Sequence, residues 1–488
     1  MTSPDVLGSG GRAADPAPDT APALPTGRNI ELVLLAFAAA IVTAALVLVE
    51  ANQENELTRS LVYVGAAYLG LFTVAHFAVR KLAPYADPVM LPCVALLNGL
   101  GLVMIHRLDL AAADRAVALG REAPTVLIQR QVAWTAIGLV LFVGVLYFVR
   151  NHRTLARYGY TAGFAGLILL ALPGLLPSSI SEVNGARIWL RLGIFSIQPG
   201  EFAKILLIVF FAVFLMQKRE LFSEAGRRFL GMEFPRARDL APLLIAWGLS
   251  VGVLVLERDL GTSLLFFGLF VAMLYVATQR FSWIAIGLVL FAAGAYLAYR
   301  IFDHVQQRVE LWLDPFSQAS LEQSDQLAKG IMGMASGGLF GTGLGQGRPW
   351  LVAFSNSDFI FASFGEELGL FGVAALLALY AVFVERGFRT ALGVRDGFGK
   401  LLAFGLAFSV GLQVFVVIGG VTKVIPLTGL TTPFMSLGGS SLLANWALMA
   451  ILLRISDQAR RPVTDDVATP DGRQERPADN ATEVVAMP

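Results

Sequence analysis

The sequence predicts an all-α polytopic membrane protein, and three observations carry that prediction. Of 488 residues, 56% are hydrophobic and only 15% charged, with mean hydropathy +0.66. The apolar residues fall in runs of about 18 to 22, each long enough for a helix to cross about 30 Å of hydrocarbon. One long polar stretch, Asp303 to Asp358, interrupts this pattern late in the chain, and ordering so long a connector has an entropic cost that points to function. The composition excludes a soluble domain. A net charge of +1 gives no ground for a nucleic-acid partner, because in such a chain the distribution of charge between the two faces matters more than its sum.

Residues 1–27 are rich in Ala, Pro, Asp and Gly and lack a basic lead into a short apolar core, which reads as a disordered cytoplasmic tail and not a cleaved signal. Spans are expected at 30–50, 61–79, 88–105, 131–149, 158–176, 199–216, 240–256, 262–278, 282–301, 359–384, 401–421 and 434–454, about twelve in all. A second disordered tail covers 457–488. Arg80, Lys81, Arg150, Arg153, Arg157 and the basic run from Lys218 to Arg238 gather in connectors on one side, as do Arg386, Lys400 and Arg454. By the positive-inside rule that side is cytoplasmic, both termini are cytoplasmic, and 303–358 is a large extracellular loop between helices 9 and 10. The connector Pro177 to Gln198 faces outward too. Arg107, Arg115, Arg121 and Arg130 fall in an outward connector, against the rule, with Asp109, Asp114 and Glu122 interspersed.

Chemistry must come from residues at the outward ends of the spans. The sequence has neither a phosphate-cradling loop ending in Gly-Lys-Ser/Thr nor a soluble domain to hold a nucleotide. The glycine-rich run Gly337 to Gly347 lacks a strand–turn–helix context and reads as flexible packing of a surface loop. The single cysteine, Cys93, lies in an apolar run, and the four histidines have no metal-ligand spacing. Asp314, between Trp312 and Pro315, suits a turn beside an interfacial aromatic. To act as a base it needs the edge of an apolar cavity, where partial desolvation raises its basicity.

Around Asp314 the candidate cavity or diphosphate-binding residues are Arg187, Glu201, Lys204, Asp259, Glu366 and Lys423. Glu201 and Lys204 stand i, i+3 just after Pro199, on one face of a helix's first turn. Glu366 and Glu367 lie inside a span, and adjacent positions do not share a face, so at most one points into a cavity. Glu257, Arg258 and Asp259 read as a solvated turn.

These residues fall in ordered blocks. Asn184-Gly-Ala-Arg187-Ile-Trp189, Gln198-Pro-Gly-Glu201-Phe-Ala-Lys204, Arg258-Asp259-Leu-Gly261-Thr262, Trp312-Leu-Asp314-Pro315, Asp358-Phe-Ile-Phe361 with Gly365-Glu366-Glu367-Leu-Gly369, and Pro426-Leu-Thr428-Gly429 through Ser440-Ser441 resemble the SEDS family of peptidoglycan glycosyltransferases, RodA and FtsW. The resemblance runs from about Asn98 to Ile455. It implies a ten-helix core at 87–456, so the two helices within 28–86 are an addition. That addition, with Asn98 to Leu108, looks like the elongation-type RodA of actinobacteria.

The resemblance also implies polymerisation of lipid II on the outer face of the cytoplasmic membrane for cell elongation and shape. Asp314 matches the family's loop aspartate, a general base for an inverting transfer. It implies as well a class B penicillin-binding protein, a transpeptidase, as partner. Diphosphate leaves as a stable anion and needs charge neutralisation more than a proton, so one base suffices where a glycosidase uses two carboxyls. Arg187, Lys204, Lys423 or a divalent cation, Mg or Mn, carried by the substrate diphosphate would supply it. Two other readings share many of these residues: a lipid II flippase, which has no need of Asp314, and an FtsW-type division enzyme.

Overall fold

The computed structural model describes residues 26–53, 59–122, 125–183, 185–193, 195–223, 228–229, 232–233 and 240–462. The two expected tails lie outside these residues up to 25 and from 463, and so does most of the basic connector 224–239. Residues from Pro25 to Arg460 form one compact unit.

Its helices are α1 (Arg28–Asn52), α2 (Arg59–Leu82), α3 (Met90–Ala118), α4 (Leu127–Phe148), the short α5 (Arg153–Arg157), α6 (Gly159–Leu175) and α7 (Ser178–Ser181). Two antiparallel hairpins follow, β1 (Glu182–Val183) with β2 (Ala186–Arg187) and β3 (Leu190–Leu192) with β4 (Phe195–Ile197). After α8 (Pro199–Ser223), β5 (Arg228–Phe229) pairs with β6 (Met232–Glu233). Then come α9 (Ala241–Glu257), α10 (Leu260–Thr278) and α11 (Ser282–Ile301). The long polar stretch holds three helices of its own, α12 (Asp303–Leu313), α13 (Gln318–Gln323) and α14 (Gln326–Gly337), before α15 (Ile360–Gly393), α16 (Gly397–Val421) and α17 (Gly439–Arg460).

The polytopic all-α architecture stands: among the described residues ten helices are long and apolar enough to cross a membrane. The other two expected spans are α6 and α9, shorter apolar helices of 17 residues each, or roughly 25 Å. Helix packing explains many of the glycines. Gly159, Gly163 and Gly166 line one face of α6, and a Cβ on any of them would press into Val213, Phe210 or Leu207 of α8, the small-residue seam that lets helices approach closely in lipid.

The stretch 303–358 is well tied. Ser317 accepts from Ser320 N at 3.2 Å to cap α13, and α14 packs on α15. The glycine-rich run corrects its sequence reading, because it is pinned and not a flexible surface loop. α15 is broken at Gly369 (φ 67°, ψ −168°), and the run fills the break. Thr342 N and Gly343 N donate to Glu366 O and Glu367 O at 3.0 Å each, while Leu370 N and Phe371 N donate to Gly338 O at 3.0 Å and Leu339 O at 3.1 Å. Irregular backbone at such a depth persists only where protein satisfies its polar groups.

A Cβ at Gly369 would fall 2.3 Å from Gly341 N, and the left-handed φ adds strain for any L side chain. Gly369→Ala is therefore expected to cost at least about 2 kcal/mol. A fall in folded, monodisperse protein on fluorescence-detected gel filtration checks this.

Arg107, expected in an outward connector, instead lies within α3 and is 1% exposed. It donates from Nε to Glu367 Oε1 at 3.1 Å and stacks over Trp350 at 4.8 Å. Buried and paired, it does not count against the charge rule, which weighs connectors.

Candidate functional site

The connector 422–438, between α16 and α17, is the hub on which most candidate residues converge. Its ends are fixed by neighbours: Leu437 N donates to Asn356 O at 2.8 Å, and Ser436 Oγ donates to Ser357 O at 2.7 Å. The hydroxyl of Tyr380 donates to Pro433 O.

Asp314 follows the last residue of α12, and its N–H closes that helix on Glu310 O at 3.0 Å. Beside it the loop and the hub exchange two hydrogen bonds. Trp312 Nε1 donates to Lys423 O at 3.1 Å, and Lys423 Nζ donates to Leu313 O at 3.1 Å. Lys423 holds φ 64°, an uncommon value for a non-glycine residue, and the crossed bonds hold it there. Below Trp312 an apolar cavity of about 360 Å³ opens between α9, α10, α11 and the hub, lined by Trp247, Leu264, Phe267, Phe291 and Ile425 among others. The sequence reading wanted Asp314 partly desolvated at the edge of such a cavity. Trp312 lines it, but the Asp314 side chain itself is exposed, because it stands past the end of α12 where only Pro315 turns inward.

Asp259 corrects the solvated-turn reading. It is 5% exposed and Glu257 3%, because the start of α10 packs on the hub: a Cβ at Gly261 would meet Leu430 and Thr428. Asp259 caps α10, accepting from Gly261 N at 2.8 Å and Thr262 N at 3.3 Å, and its other oxygen takes the Thr262 hydroxyl. Burial pushes its carboxyl up, while the Thr262 hydroxyl and the Arg308 charge hold it back.

Sequence reasoning did not single out Asp358 or Arg308 as site residues. Arg308 Nη1 donates to Leu427 O at 2.9 Å, and its charge bears on both Asp259 and Asp358. Burial pushes Asp358 up to about 7, with the neighbouring Asp259 charge adding to the rise, and the Ser357 hydrogen bond and Arg308 opposing it. The sequence signal was the opening of the Asp358-Phe-Ile-Phe361 block. A native carboxyl near 7 binds a proton that the unfolded chain has released, so stability falls as pH climbs from the ordinary carboxylate range and the loss is complete above about 7. Asp358→Asn is accordingly expected to raise the thermal midpoint by a few degrees at about pH 8 and by nothing near about pH 4. Melting curves across that range check it.

Glu201 and Lys204 form the expected pair, fully inside the bundle. Lys204 Nζ donates to Glu201 Oε2 at 2.9 Å and to Gln413 Oε1 at 2.8 Å. Gln413 Nε2 continues to Thr431 O of the hub at 2.9 Å, and Thr431 Oγ1 donates to Ser441 Oγ at 2.9 Å. The one sequence signal for Gln413 was a lone amide in an apolar run.

Two candidates stand apart. Arg187 is on β2, a third exposed, with Nε on Glu182 Oε2 of its own hairpin at 3.2 Å. Glu366 is 7% exposed and accepts from Arg348 N at 2.6 Å. Its neighbour Glu367, 0% exposed, takes Arg107 and Gly345 N at 3.0 Å, so both carboxylates brace the glycine-rich run.

A polytopic helical bundle that gathers carboxylates, a lysine and an apolar cavity around one connector defines a multi-pass membrane protein with a polar site beside an apolar cavity. The FtsW, RodA and SpoVE family model, described as cell cycle protein, matches residues 88–461, and the chain belongs to that family. It is 56% identical over 442 residues to the peptidoglycan glycosyltransferase RodA of Mycobacterium tuberculosis, covering 91% of this chain and 93% of the relative. A probable peptidoglycan glycosyltransferase FtsW of Geobacter is more distant, 30% identical over 78% of this chain and 99% of its own. Among solved structures, a chain from a peptidoglycan synthase complex that coordinates polymerisation and crosslinking superposes with TM-score 0.60 at 28% identity, covering 77% of this chain and 99% of its own. The rod shape determining protein RodA of Thermus thermophilus gives 0.52 at 25%, covering 77% and 98%.

Proposed function

We infer that the chain is a peptidoglycan glycosyltransferase of the RodA type, which polymerises lipid II into glycan strands for cell elongation and shape. The observation that carries this reading is the 56% identity to mycobacterial RodA across nearly the whole chain, against 30% to FtsW.

In the proposed mechanism Asp314 takes the proton of the acceptor GlcNAc 4-hydroxyl. That oxygen attacks the anomeric carbon of the donor MurNAc, the bond to the diphosphate breaks, and the configuration inverts. The exposed carboxylate gains its desolvation when substrate docks over it, which strengthens it as a base. Lys423 is the best-placed cation for the leaving diphosphate. It is exposed beside Asp314 and spends one of its three donors on Leu313 O. Lys204 is committed inside the bundle and Arg187 to its hairpin. The apolar cavity beneath Trp312 suits the prenyl chain of the substrate.

For Mg or Mn, the described residues hold no group of three or more His, Cys, Asp or Glu side chains that could bind a metal ion. In this reading a divalent cation would arrive on the substrate diphosphate, where it would help neutralise the leaving charge. The partner in this reading is a class B penicillin-binding protein. The membrane is the cytoplasmic one, with both termini inside and Asp314 outside. Gel-resolved glycan synthesis from labelled lipid II by the purified chain with its transpeptidase tests the reading. Polymer supports it, whereas lipid II translocation into liposomes without polymer would replace it with transport.

A further inference from the structure

The first of the two helices that precede the family match, α1, ends against the segment that fills the break in α15. α1 closes at Asn52, whose Nδ2 donates to Leu344 O at 2.5 Å, and the next residue, Gln53, donates from Nε2 to Gly345 O. Gln53 Oε1 accepts from Arg107 Nη1 at 3.3 Å. The same guanidinium donates to Gly347 O at 3.0 Å and to Glu367 at 3.1 Å. Just before, Glu50, 0% exposed, pairs with His106 at 2.9 Å. The fit is close: a Cβ on Gly345 (φ 85°) would stand 3.1 Å from Asn52 Cβ and 3.3 Å from Val49 O.

Two successive carbonyls of the glycine-rich run are thus held by side chains from the end of α1, and its amides are held by the broken stretch of α15. Immediately after the run, Arg348 N is fixed by Glu366, and the chain then passes through Asn356 and Ser357 to the hub. Movement at the end of α1 would be felt along that path. Glycine-rich backbone has the most freedom to lose, so side chains that clamp it from outside set its position.

We propose that the end of α1 is a built-in positioning element for the site, in which Asn52 and Gln53 seat the glycine-rich run and, through Arg107 and Glu367, hold the outward part of α15 and Asp358 in register with the hub. The helices lie outside the family match at 88–461. The mycobacterial alignments, which leave out less than a tenth of this chain, must reach into them.

The test uses the full-length chain with its transpeptidase partner. It compares wild type with Asn52→Ala/Gln53→Ala and with Gln53→Glu, which keeps an acceptor for Arg107 but removes the donor to Gly345 O. Both variants are expected to turn over lipid II about tenfold more slowly at saturation, with KM within about twofold. Thermal midpoints should stay near wild type, while amide hydrogen exchange at Gly343 and Gly345 rises about tenfold or more. Wild-type turnover with unchanged exchange would overturn the proposal. So would a loss of turnover that only follows a loss of folded protein. The activity readout rests on the glycosyltransferase reading and the exchange readout does not. If wild type makes no polymer, faster exchange in Gln53→Glu supports the seating and unchanged exchange overturns it.

Discussion

Asp314→Asn is expected to abolish glycan polymerisation, by about 10²-fold or more, while leaving the amount of folded protein unchanged. Stability should survive because the side chain is exposed and accepts no hydrogen bond from the described residues, whereas its backbone holds the turn: the N–H closes α12 and the carbonyl oxygen accepts from Ser317. Asparagine keeps the size, the turn preference before Pro315 and both backbone roles, but it does not accept a proton at neutral pH. Chemistry and fold are therefore separable at this position to a degree rare elsewhere in the bundle. Labelled lipid II, the partner transpeptidase and a gel decide it. Robust polymer from the variant would remove Asp314 from the chemistry and shift attention to Asp358, whose carboxyl burial raises beside the hub. The same comparison bears on transport, since a flippase has no use for a base at the end of α12 and its Asn variant would translocate lipid at the wild-type rate.

The spans were legible because hydropathy over 20 residues reports directly on what lipid demands of a helix. The ordered blocks were legible as a resemblance, and most of them converge in space: the Asp259 turn, the Trp312–Asp314 corner, Asp358 and the Glu201–Lys204 pair meet the connector 422–438 or its hydrogen-bonded neighbours, while Arg187 and Glu366 do not. What the sequence hid were contacts between segments far apart in the chain. Nothing local told that Arg107 would leave its connector to pair with Glu367, 260 positions away, or that a glycine-rich run would complete a broken helix. Asp259 looked solvated because a turn of three charged residues ordinarily is, and only the packing of Gly261 on Leu430 makes it buried. Burial and partnership are tertiary properties, and local pattern cannot fix them.

Glu201→Ala is expected to cost the bundle about 3–5 kcal/mol and most of its folded yield, since it strands a charged Lys204 that is 1% exposed. Gln413 Oε1 still accepts from Lys204, but a neutral amide does not offset the charge it leaves behind. Replacing both members, Glu201→Gln with Lys204→Met, keeps their volume and removes both charges, and such exchanges of buried pairs are often neutral or stabilising. The double variant should therefore recover gel-filtration behaviour and thermal midpoint where the single one fails. Its activity then separates two roles that the geometry joins, because the network runs from Lys204 through Gln413 and Thr431 to Ser441. A folded, inactive double variant would place the charges in substrate binding or in setting the hub. A folded and active one would assign the pair to architecture alone, since intramembrane charge is costly and persists where it is used.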